Sequence, residues 1–349
     1  MNRNFILICL FIPFSILIYS CFNKCCAPTQ QLGNWVELSK GANGESTSGL
    51  VSFVIDSSVY ITTGIDSAGN YINDLWVYNP NSSGNAWLQK AGFPGIGRKS
   101  AIAFSLGNKG YLGTGFNGTS ALSDFWQYDP SINVWSRIAD FPGTARFGAV
   151  GFGIADYGYV TTGGDSSNYY NDFWKYDKNS NLWEKGVDFP GFKRSGAVSF
   201  VYNNKGYIVT GIGTGGTTLN DFYSFDPSQP DSSTWTELRH ITNYSPDAYD
   251  DGYTSIARSG GVGFVMSHTT SDGGGDRAYI TTGSTNTTWA YNFATDLWDQ
   301  KTPYERPARS GAIGFTVQNR GFVGFGSNGK TTFSNLDEWK PDEIYNSKD

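Results

Sequence analysis

The sequence predicts an all-β fold: a six-bladed β-propeller with four-stranded antiparallel blades, closed by an N-terminal strand around Trp35 that joins the C-terminal blade. Two observations predict it. The 11 tryptophans fall into two columns of one internal repeat with a period near 50 residues. Each repeat also holds four short apolar runs bounded by Gly, Asn, Asp, Ser and Pro. Such self-similarity is typical of repeat architectures, and such runs are typical of strands.

The first two strands of each repeat, a and b, have recognisable ends. Strand a opens with arginine and continues into small and apolar residues, at 98–104, 146–152, 194–200, 258–264 and 309–315; the first repeat, 47–53, has Thr47 in the arginine position. Strand b ends in glycine, at Gly64, Gly115, Gly163, Gly211, Gly283 and Gly326. Glycine at these ends indicates turns or close backbone approaches.

Strands c and d carry the tryptophan columns. The strand c column contains Trp76, Trp126, Trp174, Trp289 and Trp339, with Tyr223 in the remaining repeat. The strand d column contains Trp35, Trp87, Trp135, Trp183, Trp235 and Trp298. We interpret both columns as packing between blades.

The order of the strands predicts how the ring closes. Strand d of the Trp35 repeat precedes every strand a, and the last a, b and c strands have no d strand after them. Pairing these two ends completes a sixth blade and removes an open sheet edge, which would otherwise invite association.

These features resemble the Kelch-repeat family. The resemblance is carried by the glycine-ended strand b, the Asp-x-Trp-x-Tyr-Asp strand c, the later tryptophan and the Arg-Ser-Gly-Ala start of strand a, and it extends from Trp35 to about Trp339. Only Gly163-Gly164 has the family's usual glycine doublet. The resemblance implies a Kelch-type propeller, and a fold by itself does not imply a function.

The N-terminus predicts export and lipid anchoring. Residues 1–20 contain Arg3 and an apolar run that is short for a membrane span, which is typical of a signal peptide. Ile18-Tyr19-Ser20-Cys21 resembles a bacterial lipobox, so we predict lipidation of Cys21, a tether over 21–31 and the propeller over 32–345. An ordinary signal peptide cleaved nearby is the alternative. The predicted location is the bacterial cell envelope, on the periplasmic or the outer surface.

Composition limits the function classes. The net charge of −6 and the pI of about 5.0 argue against a nucleic-acid partner. No cysteine occurs after Cys26, so the propeller has no disulfide and no cysteine-based metal or redox site. We predict a monomer without a cofactor, which touches the membrane only through its lipid.

Strand alternation places the starts of strands a and c at one end of the propeller, which we call the upper face. Strand a is innermost, so we expect its arginines to point toward the mouth of the central channel and to bind an anionic ligand: Arg98, Arg146, Arg194, Arg258 and Arg309. In some eukaryotic Kelch proteins this position binds acidic peptides, a resemblance that covers Arg194, Arg258 and Arg309 best. The alternative is structural, because aspartates begin strand c at the same end: Asp74, Asp124, Asp172, Asp221 and Asp337, with Thr287 in the fifth repeat.

The fifth repeat has two long insertions. The upper-face insertion, about 240–255, contains the predicted ligand-binding residues Tyr249, Asp250 and Asp251. The other, about 268–276, belongs to the opposite end, so His240 and His268 are not expected to act together. Oxygen ligands for calcium from Asp247, Asp250 and Asp251, or from Asp272 and Asp276, match no known calcium-loop spacing. We assign no metal-binding or catalytic residue.

Two functions remain open from the sequence. The first is a non-catalytic binding protein whose upper face holds a protein or an anionic glycan. The second is a periplasmic carbohydrate-active enzyme that resembles the sialic-acid mutarotases built on Kelch propellers, with Asp250 or Asp251 acting beside Arg258. A copper oxidase similar to galactose oxidase would need a cysteine within the propeller.

Overall fold

The computed structural model describes residues 32–82, 86–239, 256–268 and 275–348. They form six four-stranded antiparallel sheets with strands in the order a, b, c, d. This confirms the predicted all-β, six-bladed propeller.

Each blade consists of four consecutive strands, except the last, which takes its strand d from the N-terminus. Blades 1 and 2 contain Val51–Ile55, Ser58–Thr62, Leu75–Tyr78 and Trp87–Lys90, then Ile102–Leu106, Lys109–Gly113, Phe125–Asp129 and Val134–Ile138. Blades 3 and 4 contain Phe147–Ile154, Tyr157–Gly164, Phe173–Asp177 and Leu182–Lys185, then Val198–Tyr202, Lys205–Val209, Phe222–Phe225 and Trp235–Glu237. Blades 5 and 6 contain Gly261–His268, Gly275–Thr282, Thr288–Asn292 and Leu297–Lys301, then Ser310–Val317, Arg320–Ser327, Asn335–Ile344 and Leu32–Lys40.

Short elements complete the described secondary structure. Two-residue ladders pair Thr47–Ser48 with Ile65–Asp66 and Arg194–Ser195 with Ile212–Gly213, and 3-10 turns cover Ala42–Gly44, Thr214–Gly216 and Asp231–Ser233. Within the described ranges, no helix is long and apolar enough to cross a membrane.

Strand a is the innermost strand. Strand a of each blade contacts strand a of the next blade all the way around the ring, including the step from blade 6 back to blade 1. The starts of the a strands therefore surround the upper mouth of the central channel.

The N-terminal strand closes the ring as predicted. Leu32–Lys40 pairs antiparallel with Asn335–Ile344, and Trp35 lies opposite Trp339. The rings of Trp35 and Trp339 are 4.9 Å apart, and Tyr304 packs edge-on against Trp35 at the same distance. The two ends of the chain thus share one aromatic cluster.

The core lies between blades, where the aromatic side chains of neighbouring sheets interleave. At the first junction, Phe53 and Tyr60 of blade 1 pack against Tyr128 and Trp135 of blade 2. Comparable clusters occupy the other junctions. The interpretation of the tryptophan columns as packing between blades agrees with this arrangement.

Candidate functional site: the upper face

The arginine that opens strand a crosses its own blade to reach the start of strand c. In blade 2, Nη1 and Nη2 of Arg98 donate to the two carboxylate oxygens of Asp124, at 2.7 and 2.8 Å. Nη1 also donates to the carbonyl of Thr114 at the end of strand b, and Nε donates to the carbonyl of Ile96. One guanidinium thereby ties together strands a, b and c.

Blades 3 and 4 repeat this arrangement. Arg146 bonds Asp172 through both terminal nitrogens, and Arg194 bonds Asp221 in the same way. The strand c tryptophan adds a further donor where it is present, since Trp174 Nε1 donates to Asp172 at 2.7 Å.

The Phe-Pro pair before the arginine belongs to the same unit. In blade 2 the guanidinium of Arg98 lies 4.9 Å from the ring of Phe93. Phe93 in turn packs edge-on against Trp126 and Trp135. Arginine, aspartate, phenylalanine and both tryptophan columns therefore form one repeated structural motif.

The ion pairs affect the ionisation of the carboxylates. Burial alone raises the pKa of Asp124, but the hydrogen bonds from Arg98 and Trp126 outweigh it and hold the pKa below its ordinary value. The pKa of Asp172 is lowered for the same reasons, with Arg146 and Trp174 as donors. These carboxylates therefore contribute stability above the ordinary aspartate pKa of about 3.9, and the contribution is lost as the pH falls through the lower native pKa.

Blade 5 has a threonine in place of the aspartate. Arg258 Nη2 donates to Oγ1 of Thr287, and Nη1 donates to the carbonyls of Thr287 and Thr282. Burial lowers the pKa of Arg258 to about 9. Thr287 thus takes the aspartate position, as the sequence predicted.

In blade 6 the predicted partner position is wrong: Asn335, and not Asp337, begins strand c beside the arginine. Arg309 Nη1 donates to Oδ1 of Asn335, and not to Asp337. In the strand register, Trp339 lies opposite Gly321 as Tyr128 lies opposite Gly110 in blade 2. Strand c of blade 6 is therefore displaced by two residues from the sequence alignment.

Asp337 consequently takes the place that tryptophan has in the other blades. Its carboxylate accepts hydrogen bonds from Tyr304 and Asn335, and Arg306 pairs with both Asp337 and Glu37. Burial raises the pKa of Asp337, although these neighbours oppose the rise. The cluster joins the N-terminal strand to the C-terminal strand.

Blade 1 lacks the arginine, and its aspartate stays at the surface. Thr47 stands in the arginine position and is buried, whereas Asp74 is exposed. The aspartate is drawn into the blade only where a guanidinium can pair with it.

The expected direction of the guanidiniums is therefore wrong. The five arginines are at most 1% exposed, and their terminal nitrogens point outward into the blade instead of toward the channel: Arg98, Arg146, Arg194, Arg258 and Arg309. Their observed contacts are those of the structural alternative. Ligand binding by these residues stays a prediction, and no exposed guanidinium among them supports it.

A series of five backbone hydrogen bonds lies at the channel mouth. Two residues after each arginine position stands a residue with positive φ: Gly49, Ser100, Gly148, Gly196, Gly260 and Gly311. From Gly260 through blades 4, 3, 2 and 1 to Gly311, each amide donates to the carbonyl of the next residue in the series at 2.8–2.9 Å. These hydrogen bonds and the positive φ explain the glycine of Arg-Ser-Gly. In the sequence, the only sign of this role is that the glycine recurs two residues after the arginine.

Besides a cavity in blade 2 whose lining includes Ile96, Asp124 and Trp126, a second cavity opens on the upper face between blades 3 and 4. It has a volume of about 410 Å³, and its lining includes Tyr169, Tyr170 and the exposed Lys193. Asp165 accepts hydrogen bonds from the Tyr170 hydroxyl and from two backbone amides of its loop, and these lower its pKa. Lys193 has no acidic partner among the described residues. A rigid loop thus holds two tyrosines beside a cation.

An exposed apolar side chain lines the blade 2 cavity, and another directly precedes Lys193 of the cavity between blades 3 and 4. The residue after Phe-Pro-Gly is Phe192 at one loop and Ile96 at the other, and they are 74% and 59% exposed. Their carbonyls accept the arginine Nε, which fixes the backbone of each loop. The buried arginine thereby positions an exposed apolar residue on the upper face.

The remaining predicted site residues, Tyr249, Asp250 and Asp251, lie outside the described residues, as do His240, Asp247 and Asp272. Asp276 is described, and it accepts a hydrogen bond from Ser267. No group of three or more His, Cys, Asp or Glu in the described ranges has the geometry of a metal site.

Comparison with known proteins agrees with this geometry. The Kelch motif model matches residues 115–142, which run from the glycine after strand b of blade 2 through both of that blade's tryptophans. The described residues form a six-bladed β-propeller whose second blade matches the Kelch motif. It is similar to the solved structure of YjhT, with a TM-score of 0.66 and 16% identity over 83% of this chain and 94% of that one. No curated protein matches the chain in sequence. At this identity the likeness concerns the fold alone.

Proposed function

We propose that the protein is a non-catalytic binding protein of the bacterial cell envelope, anchored through a lipid on Cys21, whose upper face binds a protein or an anionic glycan. The observation that carries the proposal is the upper cavity lined by Lys193, Tyr169 and Tyr170, with the exposed Phe192 directly before Lys193 in the chain. Aromatic side chains beside a cation are typical of contact surfaces that recognise an acidic partner.

The exposed apolar residues favour the protein over the glycan. Single exposed apolar residues are common on proteins and carry little weight alone. Here Phe192 is held by the carbonyl bond to Arg194 and lies next to a lysine with no described acidic partner. An aromatic side chain on a fixed backbone, surrounded by polar groups, is suited to act as an anchor in a protein interface.

The binding surface is tested by site-specific photocrosslinking in the native host cell. A photoreactive residue at position 192 is expected to form a covalent adduct with a protein partner, and Lys193→Glu is expected to reduce its yield. The matched control is position 182, because Leu182 is 65% exposed at the start of strand d of blade 3, at the other end of the propeller. Equal yields of adduct at positions 182 and 192 would contradict the proposal. It would also be contradicted if position 192 forms no adduct and the protein binds no sialylated or uronic-acid glycan.

The lipid anchor has its own test. Mass spectrometry of the mature protein is expected to find Cys21 as the first residue, carrying the mass of a diacylglyceryl group, and Cys21→Ser is expected to remove that mass. A mature N-terminus at another residue would disprove the anchor while leaving the binding surface unaffected.

The described residues give the enzymatic alternative no support. It requires a base beside an accessible Arg258, whereas the Arg258 side chain is fully buried and donates to Ile256, Thr282 and Thr287.

A further inference from the structure

A second and larger cleft lies between blades 3 and 4, toward the end of the propeller opposite the upper face. Its volume is about 610 Å³, within the range of small-molecule sites. Its walls include the a–b turns of both blades and the c–d turn of blade 4. It is separate from the upper face, so it does not depend on the function proposed above.

The cleft lies at a junction that lacks a set of hydrogen bonds found between other blades. We call this set, made by a residue of the c–d turn to the preceding blade, the clip. In blade 2, Oδ1 of Asn133 accepts hydrogen bonds from the Tyr128 hydroxyl and from the amide of Ala91 in blade 1, at 2.7 and 2.9 Å. Trp135 donates to the carbonyl of the same alanine. This clip closes the junction near the c–d turn.

Two other blades have the same clip. Blade 3 forms it with Asn181 against Ala139, and blade 5 forms it with Asp296 against Arg239.

Blade 4 departs from this pattern. Phe225 stands in place of the tyrosine and has no hydroxyl, and the turn from Asp226 to Thr234 is longer and contains no asparagine. Trp235 still donates to the carbonyl of Val187. The turn contains Pro227 and ends in a 3-10 turn, so its backbone is bent away from the usual clip geometry.

The floor of the cleft is aromatic and includes the hydroxyl of a tyrosine. Tyr159, Phe173 and Phe225 line it and are almost fully buried. Tyr159 is 2% exposed, and its hydroxyl forms no hydrogen bond with a described residue. In blade 2 the equivalent Tyr111 donates to Gln127. The hydroxyl opens into the cleft and is not sealed in the core, so a ligand can bond it in place of water.

A lysine replaces that glutamine in blade 3. Lys175 lies opposite Tyr159 as Gln127 lies opposite Tyr111. Its ammonium pairs with Glu184 at 2.7 Å and lies over the ring of Tyr157. Burial raises the pKa of Tyr159 to about 12, so its hydroxyl remains a donor at neutral pH.

The rim is polar without excess positive charge. Both lysines that line the cleft are paired, Lys175 with Glu184 and Lys185 with Asp188. Asp231 adds a carboxylate to the lining, and Gln229 adds an amide. Such a rim disfavours an anionic ligand and offers both donors and acceptors to a neutral one.

We propose that this cleft binds a neutral sugar residue. The apolar face of the sugar ring packs on Tyr157, which is 37% exposed at the rim, and a sugar hydroxyl bonds the Tyr159 hydroxyl on the floor. The remaining hydroxyls bond Gln229 and Asp231. A sugar suits the site because it joins an apolar ring face to a ring of hydroxyls, which matches an aromatic floor with a polar rim.

Calorimetric titration of the purified protein tests this proposal. The probes are glucose, galactose, mannose, N-acetylglucosamine and their common disaccharides, with glucuronic acid as the anionic comparison. At least one neutral sugar is expected to bind more tightly than glucuronic acid. Tyr159→Phe is expected to weaken binding by about 2–12-fold, the effect of one net hydrogen bond. Tyr157→Ala removes the exposed ring and is expected to weaken it by more than about tenfold.

The controls separate this cleft from other sites. Tyr111→Phe removes the equivalent hydroxyl from blade 2, and Phe192→Ser alters the upper face; both are expected to leave sugar binding unchanged. The proposal is overturned if no neutral sugar binds, if glucuronic acid binds more tightly, or if Tyr157→Ala binds as the unaltered protein does. Because Tyr157 lies at the rim, its loss leaves the core intact and the result interpretable.

Discussion

A guanidinium loses its hydration when it is buried, and in this propeller its hydrogen bonds replace that hydration. Arg98 and Arg146 donate to a carboxylate and to two carbonyls, and a phenylalanine ring covers one face. Arginine suits this position better than lysine, because its planar fork can reach both carboxylate oxygens and a carbonyl together.

Removal of one arginine tests the structural role. Arg146→Ala leaves the half-buried carboxylate of Asp172, whose side chain is 22% exposed, without its cation, so we expect a loss of about 2–4 kcal/mol in the free energy of unfolding. Urea denaturation followed by tryptophan fluorescence measures it. The matched control is Arg137→Ala, because Arg137 pairs with Asp140 on the surface, where a pair contributes at most about 1 kcal/mol. Equal losses for the two variants would show that the buried pair is not a main structural contact.

Residue-scale prediction from the sequence succeeded in part. Arginines and aspartates that recur at the same end of the blade predict either a structural network or a ligand-binding site, and the sequence does not decide between the two. The guanidinium direction decides between them. It depends on the carbonyl of Thr114 and the carboxylate of Asp124, which lie 16 and 26 residues from Arg98 along the chain. No local pattern contains that geometry.

Strand a carries the contacts that align neighbouring blades. The residues at or just before its start form the series of five backbone hydrogen bonds at the channel mouth, and the positive φ at each of these positions lets the amide and the carbonyl face opposite neighbours. A Cβ on Gly148 would clash with the hydroxyl of Ser195 in the next blade. Both the backbone conformation and the position of the Ser195 hydroxyl therefore favour glycine here, although Ser100 adopts the same positive φ in blade 2.

An alanine in place of Gly148 tests the packing against Ser195. Gly148→Ala combines positive φ with the clash against Ser195, so we expect a loss of about 1–3 kcal/mol or more in stability. The control Gly44→Ala also has positive φ, but its Cβ meets nothing within 4 Å. Thermal unfolding of both variants, and of Gly148→Ala combined with Ser195→Ala, separates strain from packing. If the double variant is no more stable than Gly148→Ala, the clash is not responsible.

Strand c of blade 6 shows how an element can be misaligned. Its tryptophan suggested the common column, yet the register places Asn335 where aspartate stands elsewhere. The distance from Gly326 to Asn335 equals that from Gly115 to Asp124, so spacing from the glycine was the better guide. A tryptophan can take the tyrosine position because both are large aromatic residues that fill the junction between blades.

At the scale of the whole molecule, closure depends on the N-terminal strand. Trp35, Trp339 and Tyr304 pack together at the junction, and Arg306 bridges the carboxylates of Glu37 and Asp337 across the paired strands. Without the N-terminal strand, the edge of Asn335–Ile344 would be left unpaired.

Truncation tests the closure. A chain beginning at residue 41 is expected to associate or to lose cooperative unfolding, whereas a chain beginning at residue 32 keeps the strand and serves as the control. In the complete chain, Trp35→Ala is expected to lower stability by about 3–5 kcal/mol. Size-exclusion chromatography and thermal unfolding measure these effects. The role of closure is disproved if the chain from residue 41 elutes and melts as the control does.

The sequence alone determined the number of blades, the four strands in each and the closing strand. These depend on local patterning, because every repeat contains its own turn residues and apolar runs. The tertiary structure decided the direction of the arginines, the register of blade 6 and the cleft between blades 3 and 4. Each of these depends on partners that are distant along the chain: a carboxylate across the blade, a strand from the other terminus, or a clip that blades 2, 3 and 5 form and blade 4 lacks. The repeat thus specifies the propeller, whereas its local departures create the surfaces at which we propose binding.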